Sequence, residues 1–242
     1  MKAIQVDGQE LRWNEVVEPP LGVGEVRIAN RATALNRADL AQRAGHYAPP
    51  PGASLILGLE CAGVVEAIGE GVGRVREGDR VCALLAGGGY AEKVVVPAGQ
   101  VLPIPEGLSF HEAAALPEVF ATAYLNLYME AYLEPGEFVL LHAGASGVGT
   151  AAIQLCAAFD NPCFVTAGNT EKVERCVEMG ATAGCDRHVD HFVEEVPRWT
   201  SQHGMDVILD PVGGAYFESN IASLAVDGRL VLIGLLDGST AP

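Results

Sequence analysis

The feature that most constrains this chain is the glycine-rich stretch His142-Ala143-Gly144-Ala145-Ser146-Gly147-Val148-Gly149. It joins an apolar segment at 138–143 to a helical pattern at 148–159. A tight turn with small side chains between a strand and a helix lets backbone amides and the positive helix end contact a pyrophosphate. The stretch therefore predicts a dinucleotide site, with a plain strand-to-helix turn as the alternative. The residues predicted to contact the cofactor here are Ala143, Gly144, Ser146, Gly147, Val148 and Gly149.

One position departs from the Gly-x-Gly-x-x-Gly fingerprint of such loops. Ser146 stands where the fingerprint has its second glycine. The Cβ of a serine obstructs the closest approach of the backbone to a pyrophosphate, whereas its hydroxyl adds a hydrogen-bond donor.

Strand and helix patterns alternate from residue 134 onward. Strand-like segments lie at 138–143, 163–167, near Gly184, 207–209 and 230–233, and helical patterns lie at 148–159, 171–179 and 192–202. Such alternation is typical of a parallel, doubly wound sheet. We therefore predict an α/β fold whose second half is a Rossmann sheet of five strands. Gly234, directly after the last strand, is also predicted to contact the cofactor.

The first hundred residues instead show short strand patterns separated by turns. The strands are predicted at 25–34, 63–69, 78–84 and 90–97, in a β-rich, barrel-like domain. Ser109 and Glu112 have the spacing of a capping box, so a helix should follow to about residue 133, with a break at Pro117. The predicted domains are 1–115 and 116–242.

The turn after the second Rossmann strand indicates which nicotinamide cofactor fits. NAD enzymes usually place a carboxylate there to bind the ribose 2′-hydroxyl. Residues 166–170 carry none, whereas Lys172 and Arg187 can supply positive charge for a 2′-phosphate. We therefore predict NADPH, contacted by Gly168, Lys172 and Arg187. Glu171 opposes this interpretation, and a solvated lysine is the alternative for Lys172.

Composition excludes several other classes of function. The net charge is −16 with only 15 Lys and Arg residues, so nucleic acid is not an expected partner. We expect neither a membrane span nor a signal peptide, because no apolar run is long enough, and we predict a cytoplasmic protein.

The six cysteines are scattered, without a Cys-x-x-Cys pair. This spacing argues against structural zinc and disulfides and favours buried thiols that pack as small apolar groups. A single reactive thiol is the alternative.

Several further motifs are shared with one enzyme family. They are Ala34-Leu35-Asn36-Arg37-Ala38-Asp39-Leu40, Gly58-Leu59-Glu60-Cys61-Ala62-Gly63, Pro117-Glu118 and Thr122-Ala123. With the segments 45–53 and 142–149, they make the whole chain resemble the zinc-free quinone oxidoreductases of the medium-chain dehydrogenase/reductase superfamily, especially the tumour-suppressor-inducible group. The resemblance implies a GroES-like first domain and NADPH-dependent hydride transfer to a small quinone.

The resemblance also bears on zinc. In the zinc alcohol dehydrogenases of the same superfamily, a cysteine ligand stands where this chain has residues 36–39, and Gly-His-Glu stands where it has Gly58-Leu59-Glu60. Both changes remove a ligand that zinc prefers. We therefore expect no metal site.

The resemblance implies three further site residues. Asn36 is expected near the nicotinamide, Tyr47 at the quinone oxygen, and Thr122 against the cofactor. A turn or cap role for Asn36 and Thr122, and packing on prolines for Tyr47, are the alternatives. An enone or enoyl-thioester reductase and a non-catalytic nucleotide-binding protein remain alternative functions.

The C-terminus prompts a last expectation. The chain ends at Pro242, soon after the fifth predicted strand, whereas the full doubly wound fold has six. The resemblance implies that relatives dimerise through the sixth strand. We therefore expect a truncated product with an unpaired sheet edge, marginal stability and weak activity.

Overall fold

The chain divides into two compact units. The computed structural model describes residues 1–8 and 10–240. The first unit is Met1–Glu118, and the second begins at Val119. The predicted domain boundary lies three residues earlier, before residue 116.

The first unit is built on a five-stranded antiparallel sheet. Its strands are β3 (Glu25–Ala32), β4 (Glu60–Ile68), β5 (Arg80–Leu84), β6 (Lys93–Pro97) and β7 (Val101–Pro103), in the order β6-β3-β4-β5-β7. Alternate residues such as Val26, Ile28 and Val94 are buried, as expected for strands with one face on a core. The four strands predicted in this half are confirmed. A hairpin of β1 (Lys2–Asp7) and β2 (Glu10–Glu15), and strand β7, were not predicted.

Helices α1 (Arg37–Arg43) and α2 (Phe110–Ala113) belong to the first unit. Helix α3 (Pro117–Tyr124) begins with the last two residues of that unit, and the rest of it belongs to the second unit. The predicted capping box is present, because Ser109 Oγ accepts from the Glu112 backbone N–H and Glu112 accepts from the Ser109 backbone N–H. The predicted break is confirmed: α2 stops at Ala113, and α3 begins at Pro117, which needs no N–H at a helix start. A π-helical turn at Leu125–Glu130 follows.

The second unit contains a parallel sheet of five strands in its described part. These are β8 (Val139–Leu141), β9 (Cys163–Ala167), β10 (Ala183–Asp186), β11 (Met205–Asp210) and β12 (Leu224–Leu232), in the order β10-β9-β8-β11-β12. Helices α4 (Gly147–Ala158), α5 (Thr170–Glu178), α6 (Phe192–Trp199) and α7 (Phe217–Ser223) connect them. Every residue of β8 and β9 is buried, as in a sheet covered on both faces. The predicted doubly wound α/β arrangement is confirmed.

Two details of this unit differ from the prediction. β12 begins at Leu224, six residues before the predicted strand. The sequence did not indicate this earlier start, because Asp227-Gly228 is typical of a turn. Asp227 does adopt a positive φ of 62°, yet the strand continues beyond it with a register shift against β11. α7 was not predicted.

In the described part of the chain, no helix is long and apolar enough to cross a bilayer.

An ion pair fixes β12 to the segment before β8. Arg229 donates from both terminal guanidinium nitrogens to the two carboxylate oxygens of Glu137, at 2.8 and 2.6 Å, and from Nε to the Ala131 carbonyl at 2.9 Å. Hydrogen bonding to Arg229 lowers the pKa of Glu137. This bidentate geometry needs a planar guanidinium, which a lysine lacks.

We predict that Arg229→Lys lowers the free energy of unfolding by about 1 kcal/mol at pH 7, measured by urea denaturation. Because the Glu137 pKa is lowered on folding, this stabilisation is present above the unfolded-state value of about 4.3 and is lost as the pH falls through the folded-state pKa. Arg12→Lys on the exposed β2 is the control and should have almost no effect. An equal loss in both variants would contradict the prediction.

Candidate functional site

The glycine-rich stretch forms the connection between β8 and α4. The Gly144 N–H donates to the Thr166 carbonyl of β9 at 2.9 Å, and the Ser146 N–H donates to the Ala143 carbonyl at 2.8 Å. Ala143 has a φ of 53°, which is uncommon for a residue with a Cβ. The turn is therefore tight and held against the neighbouring strand.

Two glycines of the turn lie where a side chain has no room. A Cβ on Gly149 would lie 2.6 Å from the Ala143 carbonyl oxygen, and a Cβ on Gly144 would lie 2.6 Å from the Val165 side chain. The first turn of α4 therefore rests directly on the backbone of the preceding loop. This is the close helix-to-strand packing for which the fingerprint requires its last glycine.

Ser146 is the N-cap of α4. Its Oγ accepts a hydrogen bond from the Gly149 N–H at 3.1 Å, which satisfies one of the free amides at the helix start. From the sequence, this hydroxyl was expected only as an added donor. Its acceptor role in capping was missed, although serine is a common N-cap residue.

A cavity of about 590 Å³ opens beside this turn, at the carboxyl ends of β8, β9 and β10. Of the predicted cofactor residues, those that line it are Ala143, Ser146, Gly168, Lys172 and Arg187. Residues that line it without having been predicted include Thr166, Val212, Tyr216, Leu236 and Asp237. Its position is the usual one for ligands of open α/β sheets.

The other predicted cofactor residues lie outside the lining of this cavity. Gly144, Gly147, Val148 and Gly149 form the turn and the start of α4 beneath it. Gly234 packs against Pro211, where a Cβ would lie 2.8 Å from the carbonyl oxygen. Thr122 is in α3, and its carbonyl accepts from Asn126 Nδ2.

Two positively charged side chains, Lys172 and Arg187, line the cavity near the end of β9. Lys172 is in the first turn of α5, where its N–H donates to the Asn169 side chain at 2.9 Å. Arg187 follows β10, with its Nε 4.0 Å from where a Cβ on Gly168 would lie. Burial raises the pKa of Tyr216, while nearby Arg187 opposes the rise. Glu171, which opposed the NADPH interpretation, is exposed, whereas Asp237 lines the cavity.

A buried polar network lies under the cavity and centres on His142. His142 Nε2 is 2.7 Å from Asn220 Oδ1, and His142 Nδ1 is 3.0 Å from Thr166 Oγ1. Asn220 Nδ2 donates to Asp210 at 2.9 Å, so its oxygen faces His142. The imidazole therefore carries its proton on Nε2 and accepts from the Thr166 hydroxyl. Burial lowers the pKa of His142 to about 4, so the ring is neutral at pH 7.

In the first unit, a cluster of buried polar groups surrounds Asn36. Asp39 accepts from the Asn36 N–H at 2.8 Å, the Gly58 N–H at 3.0 Å and the Tyr90 hydroxyl at 2.7 Å. Glu60 accepts from Asn36 Nδ2 at 2.8 Å. Burial raises the pKa of Glu60. Both carboxylates are almost fully buried, with 3% and 1% exposure.

Tyr47 lies on the bend that follows α1, and its side chain is 46% exposed. All six cysteines are buried and free, as the packing interpretation expected. Among the described residues, no three or more His, Cys, Asp or Glu side chains are grouped so that they could hold a metal ion.

Comparison with known proteins gives the family. Residues 22–106 match the alcohol dehydrogenase GroES-like domain, and residues 147–241 match the family described as zinc-binding dehydrogenase. The crystal structure of a Pseudomonas syringae quinone oxidoreductase superimposes with a TM-score of 0.86 and 31% identity, covering 99% of this chain and 75% of that one. The chain belongs to the quinone oxidoreductase family of the medium-chain dehydrogenases/reductases.

Two other solved structures of the superfamily are equally similar. The Escherichia coli quinone oxidoreductase complexed with NADPH has a TM-score of 0.87 and 29% identity, over 100% of this chain and 74% of that one. The CurK enoyl reductase has a TM-score of 0.87 and 31% identity, over 97% and 75%.

Curated relatives extend further than this chain. A mouse protein named synaptic vesicle membrane protein VAT-1 homolog is 38% identical over 236 residues, which are 98% of this chain and 58% of the relative. A quinone oxidoreductase-like protein 2 homolog from Nematostella vectensis is 35% identical over 219 residues, 90% and 60% of the two chains. This quinone oxidoreductase family member therefore spans about three fifths of these relatives.

We predict that Gly149→Val weakens NADPH binding about tenfold or more, because the added side chain pushes α4 away from the turn. NADPH fluorescence titration measures the dissociation constant, and circular dichroism checks the fold. Gly73→Val is the matched control, because a Cβ there meets nothing within 4 Å. An unchanged dissociation constant in folded Gly149→Val protein would refute the role of the close packing.

Proposed function

We propose that this chain is an NADPH-dependent oxidoreductase that transfers hydride to a quinone without a metal ion. The observation that carries the proposal is the cavity at the carboxyl ends of β8, β9 and β10, which brings the α4 N-terminus together with Lys172 and Arg187. The structural similarity to quinone oxidoreductases, one of them in complex with NADPH, supports it.

The residues of the second unit fit a dinucleotide. Gly144 and Gly149 let the turn pack closely against its surroundings, because a Cβ at either position would lie within 2.6 Å of neighbouring atoms. The amides at the start of α4 then face a pyrophosphate with the positive end of the helix dipole. Ala143, Ser146 and Gly168 contact it from the cavity wall, and Val148, Gly147 and Gly234 support the surrounding backbone.

The preference for NADPH rests on charge at the end of β9. A ribose 2′-phosphate is a dianion that Arg and Lys side chains bind strongly, whereas NAD enzymes offer a carboxylate to the 2′-hydroxyl. Residues 166–170 contain no carboxylate, and Lys172 and Arg187 line the cavity there. These two cations therefore select the phosphorylated cofactor.

For hydride transfer, the protein needs only to position the cofactor and the quinone and to hydrogen-bond the quinone oxygen. When bound, NADPH supplies the hydride, and a quinone is electrophilic enough to accept it without a Lewis acid. Asn36 Nδ2 has one N–H bonded to Glu60, which leaves its second N–H for a substrate oxygen. Tyr47, which is 46% exposed, serves as the second donor to the quinone, and Thr122 contacts the cofactor.

The proposal of a metal-independent reaction rests on donor chemistry. Around Asn36 the chain offers amide and carboxylate groups instead of the thiolate and imidazole ligands that catalytic zinc prefers. The two carboxylates, Asp39 and Glu60, already accept hydrogen bonds from protein donors. Both carboxylates are thus occupied by hydrogen bonds within the protein.

A second candidate is an enone or enoyl-thioester reductase. It is favoured by the similarity to CurK enoyl reductase, whose TM-score equals the highest quoted above. Hydride addition to a carbon–carbon double bond conjugated to a carbonyl uses the same cofactor site and the same oxyanion donor. A nucleotide-binding protein without turnover is the third alternative.

One experiment separates these three functions. NADPH is titrated first by its fluorescence, and its oxidation is then followed with quinones, enones and an enoyl thioester. We expect binding and faster oxidation with quinones than with the other acceptors. Preference for the enoyl thioester would select the second candidate, and binding without oxidation would select the third.

We predict that Lys172→Ala and Arg187→Ala each weaken NADPH binding about tenfold or more, with little change for NADH. Arg175→Ala, in the last turn of the same helix α5, is the control and should leave both affinities unchanged. Isothermal titration with each cofactor gives the dissociation constants. Equal losses for NADPH and NADH would show that neither side chain reads the 2′-phosphate.

We also predict that exhaustive dialysis against EDTA leaves melting temperature and quinone reduction unchanged, because the proposed reaction uses no metal. Elemental analysis of the untreated protein provides the check. Stoichiometric zinc whose removal abolishes activity would contradict the metal-free proposal.

A further inference from the structure

A buried carboxylate at the start of β4, Glu60, joins three parts of the first unit. Its Oε1 accepts from Asn36 Nδ2 at 2.8 Å, and its Oε2 accepts from the Glu118 backbone N–H of α3 at 2.9 Å. Its own carbonyl accepts from the Thr33 hydroxyl at 2.7 Å. Glu60 is therefore held on both carboxylate oxygens and on its backbone.

This carboxylate is costly to bury. Glu60 is 1% exposed, and within the described part of the chain no Lys or Arg forms an ion pair with it. Burial raises its pKa, and hydrogen bonds from Glu118 and Asn36 only partly offset that effect. An apolar side chain of similar size would avoid this cost. This free-energy cost indicates that the Glu60 carboxylate has a functional role in addition to packing.

The contact with Asn36 fixes the direction of an amide. A carboxylate can only accept, so it is Nδ2 of Asn36, and not its oxygen, that faces Glu60. A second buried carboxylate, Asp39, holds the Asn36 backbone N–H at 2.8 Å. Backbone and side chain of Asn36 are thus both fixed from the protein side, although the residue remains partly open to solvent.

We propose that Glu60 is a positioning residue that holds the Asn36 amide with its second N–H directed to a substrate oxygen. The inference rests on the proposed function, in which Asn36 donates to the oxygen that gains negative charge. A donor already oriented by the protein loses little freedom when the substrate binds, which is the condition for strong stabilisation of developing charge.

Glutamine at position 60 tests this with little change in volume. Its side chain has one acceptor and one NH₂ donor, so it can accept from Asn36 or from Glu118, but not from both. One N–H is then left facing another donor. Glu66→Gln is the matched control on the same strand, because Glu66 is exposed and pairs with Lys93.

The decisive measurement is a double-mutant cycle of Glu60→Gln and Asn36→Ala, with kcat and KM for quinone reduction, NADPH affinity and melting temperature for each variant. We expect Glu60→Gln to lower kcat about tenfold or more, with NADPH affinity changed less than about twofold. In the Asn36→Ala background, Glu60→Gln should have no further effect on kcat. Glu66→Gln should match the wild type.

Two results of the cycle would overturn the inference. One is a folded Glu60→Gln variant with unchanged kcat. The other is an equal loss on Glu60→Gln in the presence and absence of the Asn36 side chain, which would show that Glu60 supports the fold independently of Asn36.

A second readout does not depend on turnover. The side-chain amide signals of Asn36, assigned from their loss in Asn36→Ala by ¹⁵N NMR, should move in Glu60→Gln and remain in place in Glu66→Gln. Unmoved signals would overturn the positioning role. If the wild type reduces no quinone or enone but the signals move in Glu60→Gln, the proposed function fails while the control of Asn36 by Glu60 stands.

Discussion

The approach of helix α4 to the turn after β8 is the contact on which the second unit depends. Gly149 lies so close to the Ala143 carbonyl that no side chain fits between them, and Ser146 closes the same turn by capping the helix. The α4 N-terminus therefore stands at the carboxyl end of the sheet. Parallel strands have their carboxyl ends at the same edge of the sheet, so the cavity, with Lys172 and Arg187 in its lining, forms beside this helix end. The positive end of the helix dipole is at the same edge.

Beneath that cavity, buried polar groups hold the wall in a defined arrangement. Asp210 accepts from the Val212 N–H at 2.6 Å and from Asn220, whose oxygen in turn faces neutral His142. The chain of bonds ends at Thr166, which lines the cavity. Each of these hydrogen bonds joins a donor to an acceptor. Such a network favours one geometry, because an unpaired polar group in a buried, low-dielectric environment costs free energy. The first unit uses the same principle, with Asp39 and Glu60 arranged around Asn36.

The sequence predicted elements well where the signal was local. The parallel strands of the second unit, the Ser109–Glu112 capping box and the break at Pro117 all depend on residues within a few positions of each other. Predictions were less accurate where tertiary contacts override local preference. Leu224–Leu232 is one strand despite the turn-like Asp227-Gly228, because its pairing with β11 extends across the irregularity. The β1–β2 hairpin was missed because its pattern is short and largely exposed.

The sequence by itself determined the fold class, the position of the glycine-rich turn and the presence of Lys172 and Arg187 after consecutive strands, because periodicity and glycine placement are properties of neighbouring residues. Only the tertiary structure decided which other side chains meet them. Tyr216 and Asp237 reach the cavity from segments far along the chain, and Glu60 meets Asn36 across 24 residues. Burial in the folded chain lowers the pKa of His142, although its hydrogen bond to Asn220, 78 residues away, opposes that shift. Such contacts depend on the path of the folded chain, and a burial-driven pKa shift depends on the medium that the folded chain creates.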